Sequence, residues 1–204
     1  MLINTPGFLR FVFPDALWSK PSVGQGSKNV YLTFDDGPTP SVTDWVLDFL
    51  YKHNISASFF CVGKNIEQNS LLFDRIVREG HAVGNHTYSH ANGWKTRHNN
   101  YLADVERCDQ FFQKKIFRPP YGKLTFGQYA SLKKNYQIVF WDVITYDYRQ
   151  DIAASQCLDN IRRSVKDGSI IVFHDSIKAE KNLKAVLPET INFLKEEGYR
   201  FSTL

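Results

Sequence analysis

Cysteine is scarce in this chain, and its positions exclude two common kinds of stabilising site. The 204 residues include three cysteines, Cys61, Cys108 and Cys157, and no two of them form a C-x-x-C pair. Such spacing supports neither a disulfide framework nor a zinc site built on thiolates. We therefore expect three reduced thiols in or near the core.

Long apolar runs are also missing. No stretch of the sequence approaches the roughly 18 consecutive apolar residues that a membrane-spanning helix requires. The first residues, Met1 to Pro6, lack the basic segment and the uninterrupted apolar segment of an export signal. The sequence therefore predicts no membrane span and no export signal, and a cytoplasmic location is the default expectation.

Charge of one sign is not concentrated anywhere. The chain has 25 Lys and Arg against 21 Asp and Glu, which gives a net charge of +4. The basic doublets lie far apart on predicted helices, at Lys114-Lys115, Lys133-Lys134 and Arg162-Arg163. We interpret them as solvated helix faces, so nucleic acid is not an expected partner. Nothing in the sequence indicates an oligomeric state.

Strand and helix patterns alternate along most of the chain, and 43% of its residues are apolar. This length and composition suit one domain with a substantial core. Alternating strands and helices predict a parallel sheet with helices outside it. About seven such units predict an α/β fold, a distorted (β/α) barrel of about seven parallel strands in a single domain. A doubly wound open sheet is the alternative.

The predicted domain covers residues 29–204, and residues 1–28 are predicted to form an N-terminal arm packed on it. The arm is rich in Pro and Gly and has one possible strand at 8–13. Periodicity predicts the main strands at 29–33, 57–62, 81–84, 116–118, 137–142 and 170–173. It predicts helices at 42–53, 70–79, 101–114, 126–134, 155–165 and 182–197.

Two adjacent carboxylates stand at the end of the first predicted strand. Asp35 and Asp36 follow Val30-Tyr31-Leu32, and Gly37-Pro38 then turns the chain into a helix. Proteins of the α/β class place their active sites at the carboxyl ends of such strands. Because Asp, Gly and Pro are also ordinary turn residues, the motif alone fits a surface turn equally well.

Two histidines four residues apart follow the third predicted strand. On one turn of helix, His86 and His90 would share a face and lie close enough to bind one metal ion. With one carboxylate of the Asp35-Asp36 pair they form a three-ligand set with an open position, which suits Zn²⁺ or a similar divalent ion. The alternative is two unrelated polar histidines. The position of the pair after a strand, in register with the acids, favours the metal site.

Three more strand ends carry groups with possible chemistry. Arg118 and the rigid turn Pro119-Pro120-Tyr121-Gly122 offer a fixed cation and a backbone N–H for a developing oxyanion. Asp147 stands among aromatic residues that would stack on a sugar or fill the core. His174 directly follows the last buried strand, a suitable place for a proton donor. A Pro-rich loop, core aromatic residues and a rim histidine are the structural alternatives.

Four motifs in this order resemble those of the polysaccharide deacetylase family, the NodB-homology or chitin-deacetylase-like domain of carbohydrate esterase family four. The motifs are Thr33-Phe34-Asp35-Asp36-Gly37-Pro38, His86-Thr87-Tyr88-Ser89-His90, Arg118-Pro119-Pro120-Tyr121-Gly122 and Ile171-Val172-Phe173-His174-Asp175. The resemblance extends from about Asn29 to the C-terminus. It implies a distorted βα barrel and the metal-dependent removal of an acetyl group from an N-acetylated sugar.

The resemblance also implies a metal-ligand set. Asp36, His86 and His90 would bind a divalent transition metal ion, with Zn²⁺ the first expectation and Co²⁺ or Ni²⁺ the alternatives. Such an ion polarises the acetyl oxygen and lowers the pKa of water. Spacing alone leaves open which aspartate binds the metal, and the choice of Asp36 comes from the resemblance.

The remaining roles concern protons and charge. The resemblance implies that Asp35 is the general base, that Arg118 orients it, and that the backbone N–H of Tyr121 holds the oxyanion. His174 would be the general acid, because an amide nitrogen cannot leave as an anion. Asp147 would pair with Arg118 or with the His174 imidazolium.

One motif departs from the family pattern. Ile144 stands where the family usually has a first aspartate in the fifth-strand loop, and Tyr148 replaces a tryptophan. This change concerns the wall that faces the substrate. The expected substrate is a carbohydrate that contains N-acetylglucosamine, of chitin, peptidoglycan or related type. A carbohydrate O-acetyl esterase, a hydrolase of small cyclic amides and an inactive glycan-binding domain are the alternatives.

Overall fold

The computed structural model describes residues 7–22 and 26–204. Its strands are β1 (Lys28–Asp35), β2 (Ser58–Cys61), β3 (Ala82–Asn85), β4 (Ile116–Phe117), β5 (Gln137–Ile138), β6 (Val143–Ile144), β7 (Ser169–His174) and β8 (Tyr199–Phe201). Its α-helices are α1 (Gly7–Val12), α2 (Val42–Lys52), α3 (Gly63–Gln68), α4 (Ser70–Arg78), α5 (His98–Cys108), α6 (Phe126–Leu132), α7 (Ala154–Ser164) and α8 (Glu180–Glu196). Short 3-10 helices lie at Asp109–Phe111 and Pro120–Gly122.

The strands form one curled parallel sheet with the helices outside it. The strand order is β5-β4-β3-β2-β1-β7-β6, and β8 pairs with the beginning of β1. This confirms the predicted single-domain α/β fold, a distorted (β/α) barrel of about seven parallel strands. Strand β1 lies inside the sheet, with β2 on one edge and the full length of β7 on the other.

The main core lies between the sheet and its helices. Phe34 of β1 stacks between Phe59 and Phe173, with ring centroids 5.0 and 5.8 Å apart. Helix α2 covers these rings with apolar side chains at helical spacing, of which Val46 and Leu50 are fully buried. A central strand that is buried on both faces reads as a continuous apolar run, as β1 does. Packing on both faces therefore fixes the end of β1, where the acid pair lies.

The N-terminal arm differs from its prediction. Residues 7–12 form helix α1 instead of a strand at 8–13, and residues 1–6 and 23–25 of the arm lie outside the described residues. Leu17 and Ser19 make isolated bridges to Val139 and Ser169, so they take the sheet edges that a strand at 8–13 would need. Strand formation depends on such partners more than on local preference.

The predicted strand at 137–142 is interrupted. β5 ends at Ile138, and the Phe140 N–H then donates to Leu17 O of the arm at 2.8 Å. The Asp142 carboxylate accepts hydrogen bonds from Ser169 Oγ and Ile170 N, both at 2.9 Å. These contacts turn the chain toward β7 before the separate strand β6 begins.

The structure bears on the predictions made from the few cysteines and from the lack of long apolar runs. Cys61, Cys108 and Cys157 are buried free thiols, as expected. Across residues 7–22 and 26–204, no helix is both long enough and apolar enough to cross a bilayer. Met1 to Pro6, where an export signal was not expected, lie outside the described residues.

Candidate active site

The carboxyl ends of several strands open into one cavity of about 820 Å³. Its lining includes Asp35, Asp36, His86, His90, Tyr121 and His174. Arg118 and Asp147 are fully buried and contact Asp35 and His174 respectively. The structure thus brings all the candidate residues together, although they come from five separate parts of the sequence.

Asp35, the last residue of β1, forms an ion pair with Arg118. Arg118 Nη1 donates to Asp35 Oδ1 and to Thr33 Oγ1, each at 2.7 Å, and Nη2 donates to Phe140 O at 3.1 Å. The guanidinium carbon lies 4.0 Å from the centroid of the Phe60 ring. Burial lowers the pKa of Arg118, and the Asp35 charge opposes that shift. Arginine remains protonated through such a shift, so the pair fixes one carboxylate oxygen beside a permanent cation.

Asp36 begins a turn that several buried groups hold. Its φ of +84° lies in the left-handed region, which few non-glycine residues adopt. Asn65 Nδ2 donates to Asp36 O at 2.7 Å, and the Gly37 N–H donates to Asp175 Oδ1 at 3.0 Å. Asp175 Oδ2 accepts from Thr43 Oγ1 at 2.6 Å. These bonds determine where the Asp36 side chain points after β1 ends.

Asp175 ends one of the four family-like motifs, but the motif by itself indicates no role for it. It is fully buried, and burial raises the pKa of its carboxyl to about 7. A Cβ added to Gly37 would lie 1.9 Å from Asp175 Oδ2, so the turn requires glycine. One feature of the sequence could have indicated this role: Asp175 directly follows His174, at the end of a strand that pairs with β1.

The two histidines meet through a loop, which corrects the prediction of a helical turn. Residues 86–91 are neither helix nor strand, and Thr87 and His90 have φ of +62° and +57°. Asn85 Oδ1 accepts from the Thr87 N–H at 2.8 Å and supports the first of these conformations. The rings of His86 and His90 lie 5.1 Å apart. The spacing therefore predicted their proximity, but local hydrogen bonds rather than helical periodicity produce it.

Asp36, His86 and His90 fit the requirements of a metal centre. One ligand atom from each lies within 4.8 Å of the others. Asp36 Oδ1 is 3.1 Å from His90 Nε2 and 3.7 Å from His86 Nε2. Two imidazoles and one carboxylate are the donor types that zinc and similar ions accept, and three protein ligands leave a position open.

The protonation states of two ligands also suit a cation. Burial lowers the pKa of His86 to about 4, so its imidazole is neutral near pH 7. His86 Nδ1 lies 2.8 Å from Arg118 O, so Nδ1–H donates to this carbonyl and the Nε2 lone pair faces Asp36. Burial alone would raise the pKa of Asp36, but a hydrogen bond from His90 and the nearby imidazoles hold it well below its usual range.

His174 and Asp147 form a second buried pair. His174 Nδ1 donates to Asp147 Oδ1 at 2.7 Å, and the His174 backbone N–H donates to Oδ2 at 2.8 Å. Burial on its own would lower the pKa of His174, but the Asp147 carboxylate outweighs it and raises the pKa to about 9. Of the two partners predicted for Asp147, the structure therefore selects His174, while Arg118 is paired with Asp35.

Tyr121 lies in the wall beside the metal ligands. Its φ of +61° interrupts the 3-10 helix Pro120–Gly122, and its ring centroid is 4.7 Å from that of His90. A Cβ on Gly122 would lie 2.7 Å from the Trp141 ring, so the chain approaches this ring closely. Ile144 and Tyr148, the two departures from the family pattern, also line the cavity.

Comparisons with known proteins find one matching family model and several similar proteins. Residues 22–137 match the family model described as polysaccharide deacetylase. A peptidoglycan-N-acetylglucosamine deacetylase of Bacillus cereus is 35% identical over 183 residues, which are 86% of this chain and 66% of that protein. A second Bacillus cereus protein of the same name is 30% identical over 199 residues, 92% of this chain and 90% of that protein.

Solved structures include a similar chain of nearly the same extent. It is a peptidoglycan N-acetylglucosamine deacetylase crystallised with 4-naphthalen-1-yl-N-oxidanyl-benzamide, with a TM-score of 0.87 and 32% sequence identity. The superposition covers 98% of this chain and 95% of that one. The present chain thus matches nearly all of one relative and 66% of the length of another.

Proposed function

This chain belongs to the polysaccharide deacetylase family, and on that premise we propose that it is a metal-dependent hydrolase that removes N-acetyl groups from an N-acetylglucosamine-containing glycan. The observation that carries the proposal is the arrangement of two separate proton-transfer pairs around one three-ligand set. Asp35 is held by Arg118, and His174 is held by Asp147. The names of the two Bacillus cereus relatives favour peptidoglycan over other glycans as the substrate type.

Asp36, His86 and His90 are the residues that would hold the metal, most readily Zn²⁺, with Co²⁺ or Ni²⁺ as alternatives. When bound, such an ion acts as a Lewis acid on the acetyl oxygen and lowers the pKa of water at the open position. The hydrogen bond from His86 Nδ1 to Arg118 O fixes the tautomer that presents Nε2 to the ion.

Asp35 is proposed as the general base. Arg118 donates to its Oδ1, and the carboxylate lines the cavity, where it can accept a proton from the attacking water. The buried guanidinium cannot rotate away because Thr33 and Phe140 also bind it. Tyr121, which also lines the cavity, is proposed to supply a backbone N–H to the oxyanion.

His174 is proposed as the general acid. The tetrahedral intermediate of amide hydrolysis must expel an amine, which requires a proton at nitrogen. With a pKa raised to about 9 by Asp147, His174 is protonated near pH 7 and carries that proton. Each proton-transfer group should contribute on the order of 10²- to 10⁴-fold in rate.

The proposed catalytic domain is residues 29–204, with residues 1–28 as an arm. Support for including the arm in any tested protein comes from Phe13 and Trp18, which line the same cavity as Asp35 and His174. The arm therefore belongs to the substrate-binding wall in this proposal.

The deciding experiment is an acetate-release assay on N-acetylglucosamine oligomers and peptidoglycan, with Zn²⁺ or Co²⁺ added and with a chelator. We expect release that chelation abolishes and metal restores. A His174→Ala variant that keeps ester hydrolysis but loses amide hydrolysis would indicate an O-acetyl esterase. Tight glycan binding by metal-loaded protein with no acetate release would indicate a binding domain and contradict the proposal.

A further inference from the structure

Two lysines line the cavity without a carboxylate partner. Lys123 and Lys178 both belong to its wall. Within the described ranges, the lysines that have a carboxylate oxygen within 4.0 Å are Lys115, Lys133 and Lys184. Asp35, in contrast, is already neutralised by Arg118. The two ammonium groups are therefore positive charges without a paired carboxylate, in the wall of the cavity where we propose that substrate binds.

Lys123 lies beside exposed aromatic rings on the side of the metal ligands. Its Nζ is 5.0 Å from the centroid of the Trp94 ring and 5.9 Å from that of Tyr121. Trp94 is 66% exposed although its indole N–H donates to Leu124 O at 3.0 Å, so the ring is held in place at the surface. An exposed and anchored indole is a surface on which the apolar face of a sugar can stack.

Lys178 lies on the side of the general acid. Its Nζ is 5.6 Å from the centroid of the Tyr148 ring, and that ring packs edge-on against His174 at 4.8 Å. Each side of the catalytic centre thus combines an aromatic ring with an ammonium group. A sugar ring that carries a carboxylate is the ligand that would use both features of such a pair.

We propose that Lys123 and Lys178 bind carboxylates on the sugars that flank the N-acetylated sugar, so that the site selects an alternating acidic glycan. This inference rests on the proposed function, because it assumes that the N-acetyl group lies between Asp35 and His174. A uniformly neutral polymer such as chitin would gain nothing from either ammonium group. A polymer in which N-acetylglucosamine alternates with N-acetylmuramic acid presents a lactyl carboxylate on both sides wherever that carboxyl is not joined to a peptide.

The test compares two tetrasaccharides that differ only in charge. One alternates N-acetylglucosamine with N-acetylmuramic acid, and the other is its methyl ester. For the wild type we expect a higher kcat/KM and a lower Kd for the acid, by roughly threefold to fivefold for each lysine, as partly exposed charge pairs contribute. In the double variant Lys123→Met/Lys178→Met, the acid-to-ester ratios of kcat/KM and of Kd should both approach one.

A matched control separates local binding from net charge. Lys181 is exposed on α8 and does not line the cavity, so Lys181→Met removes the same charge and should leave the acid-to-ester ratios as in the wild type. Raising ionic strength from about 0.01 M to about 1 M shortens the screening length from roughly 30 Å to roughly 3 Å, so the wild-type preference should also shrink.

Two results would overturn the inference: equal affinity of the wild type for acid and ester, or an acid preference that survives in the double variant. Failure of this inference can be told apart from failure of the proposed function, because Kd is measured without any acetate release. If neither glycan releases acetate but the acid binds more tightly through Lys123 and Lys178, the lysine assignment stands and the deacetylase proposal falls. If the acid and the ester release acetate at equal rates and bind with equal Kd, the deacetylase proposal stands and the lysine assignment falls.

Discussion

Asp147 and Arg118 are single buried partners of His174 and Asp35, the two residues to which we assign opposite proton-transfer roles. Asp147 raises the pKa of His174 to about 9, and Arg118 holds Asp35 as an oriented anion. Both partners are themselves fully buried, so their charges act without much screening by water. Each can be replaced separately, which makes the two roles testable one at a time.

Asp147→Asn should move the alkaline limit of amide hydrolysis to lower pH. The general acid must be protonated, so activity falls as pH rises through the pKa of His174, which lies near 9 in the wild type. Without the Asp147 carboxylate, burial is opposed only by Asp36 and Asp35, so the pKa of His174 and the alkaline limit should both fall. The measurement is kcat against pH for a soluble N-acetylated oligosaccharide.

The control for this change is Asp159→Asn, which removes the same charge from an exposed position on α7. Its pH profile should match that of the wild type. The raised pKa of His174 also makes the stability of the fold depend on pH. The His174–Asp147 pair stabilises the fold fully below about pH 6.5 and loses that contribution as pH rises through about 9. An alkaline limit that stays near pH 9 in Asp147→Asn would contradict the assignment of His174.

Arg118→Lys should lower kcat with little effect on metal affinity. Lysine keeps the charge but cannot donate simultaneously to Thr33, Asp35 and Phe140 as the guanidinium does. The support of His86 comes from the backbone carbonyl of residue 118 and is retained. We expect a loss of roughly 10- to 100-fold in kcat, as for other groups that orient a catalytic residue, and an unchanged Zn²⁺ Kd by competition with a chromophoric chelator. Loss of metal binding would contradict this division.

The sequence located the residues of the candidate site better than it located their supports. Asp35, His86 and His174 were singled out because each lies at or just after the end of a predicted strand, and parallel strands bring their ends together. Asp175 was not given a role because its partner Gly37 is 138 positions away in sequence. Local patterns carry no information on a contact of that kind.

The turn between β1 and α2 is the element that places both aspartates. Gly37→Ala should displace it, since the added Cβ would lie 1.9 Å from Asp175 Oδ2. We expect destabilisation of about 1–3 kcal/mol from overpacking and a Zn²⁺ affinity lower by roughly tenfold or more. Urea unfolding and metal titration measure the two effects.

Gly127→Ala is the matched control for this turn. Gly127 lies in α6, and an added Cβ there would come no closer than 3.3 Å to an atom of exposed His98. Alanine in a helix should leave stability unchanged or raise it by up to about 1 kcal/mol. Equal effects of the two substitutions would show that the turn tolerates a side chain and that Asp175 does not constrain it.

Predictions of individual strands and helical turns were wrong where tertiary hydrogen bonds override the local preference of the sequence. The strand predicted at 137–142 is split because Leu17 and Ser169 compete for its backbone and for Asp142. The loop 86–91 departs from a helical turn because Asn85 supports a left-handed residue. Helices α2, α4, α7 and α8 and strand β7 were predicted to within two residues at each end, since each has a clear apolar pattern of its own. Helix α5, predicted at 101–114, instead begins at His98 and ends at Cys108.

At the scale of the whole molecule, the N-terminal arm joins the two halves of the open sheet. Trp18→Ala should cost about 3–5 kcal/mol, the usual range for a buried tryptophan, because its ring stacks on Phe140 at 4.3 Å and is 7% exposed. It should also lower kcat, since Phe140 O accepts from Arg118. Chemical denaturation and acetate release measure the two consequences.

Phe126→Ala is the control for the arm. Phe126 is 72% exposed, and its truncation should change stability by no more than about 0.5 kcal/mol. If Trp18→Ala has an equally small effect, the arm does not contribute to the fold and its place in the cavity wall is incidental.

The architecture was predictable because alternating strands and helices of this length admit few arrangements. Parallel pairing, helices outside the sheet and active-site residues at the carboxyl ends all follow from that order. The bridges of the arm to Val139 and Ser169 were not predictable, because isolated pairs leave no periodic trace in the sequence.

The position of β1 between β2 and β7 has a consequence for biosynthesis. The candidate metal ligands have all been translated by residue 90, but the second edge of β1 finds its partner only when residues 169–174 leave the ribosome. Until then the nascent chain exposes an apolar, unpaired strand, which is the kind of intermediate that aggregates or engages chaperones. The same late segment carries His174, so a polypeptide stalled before it would contain the candidate metal ligands but lack the proposed general acid.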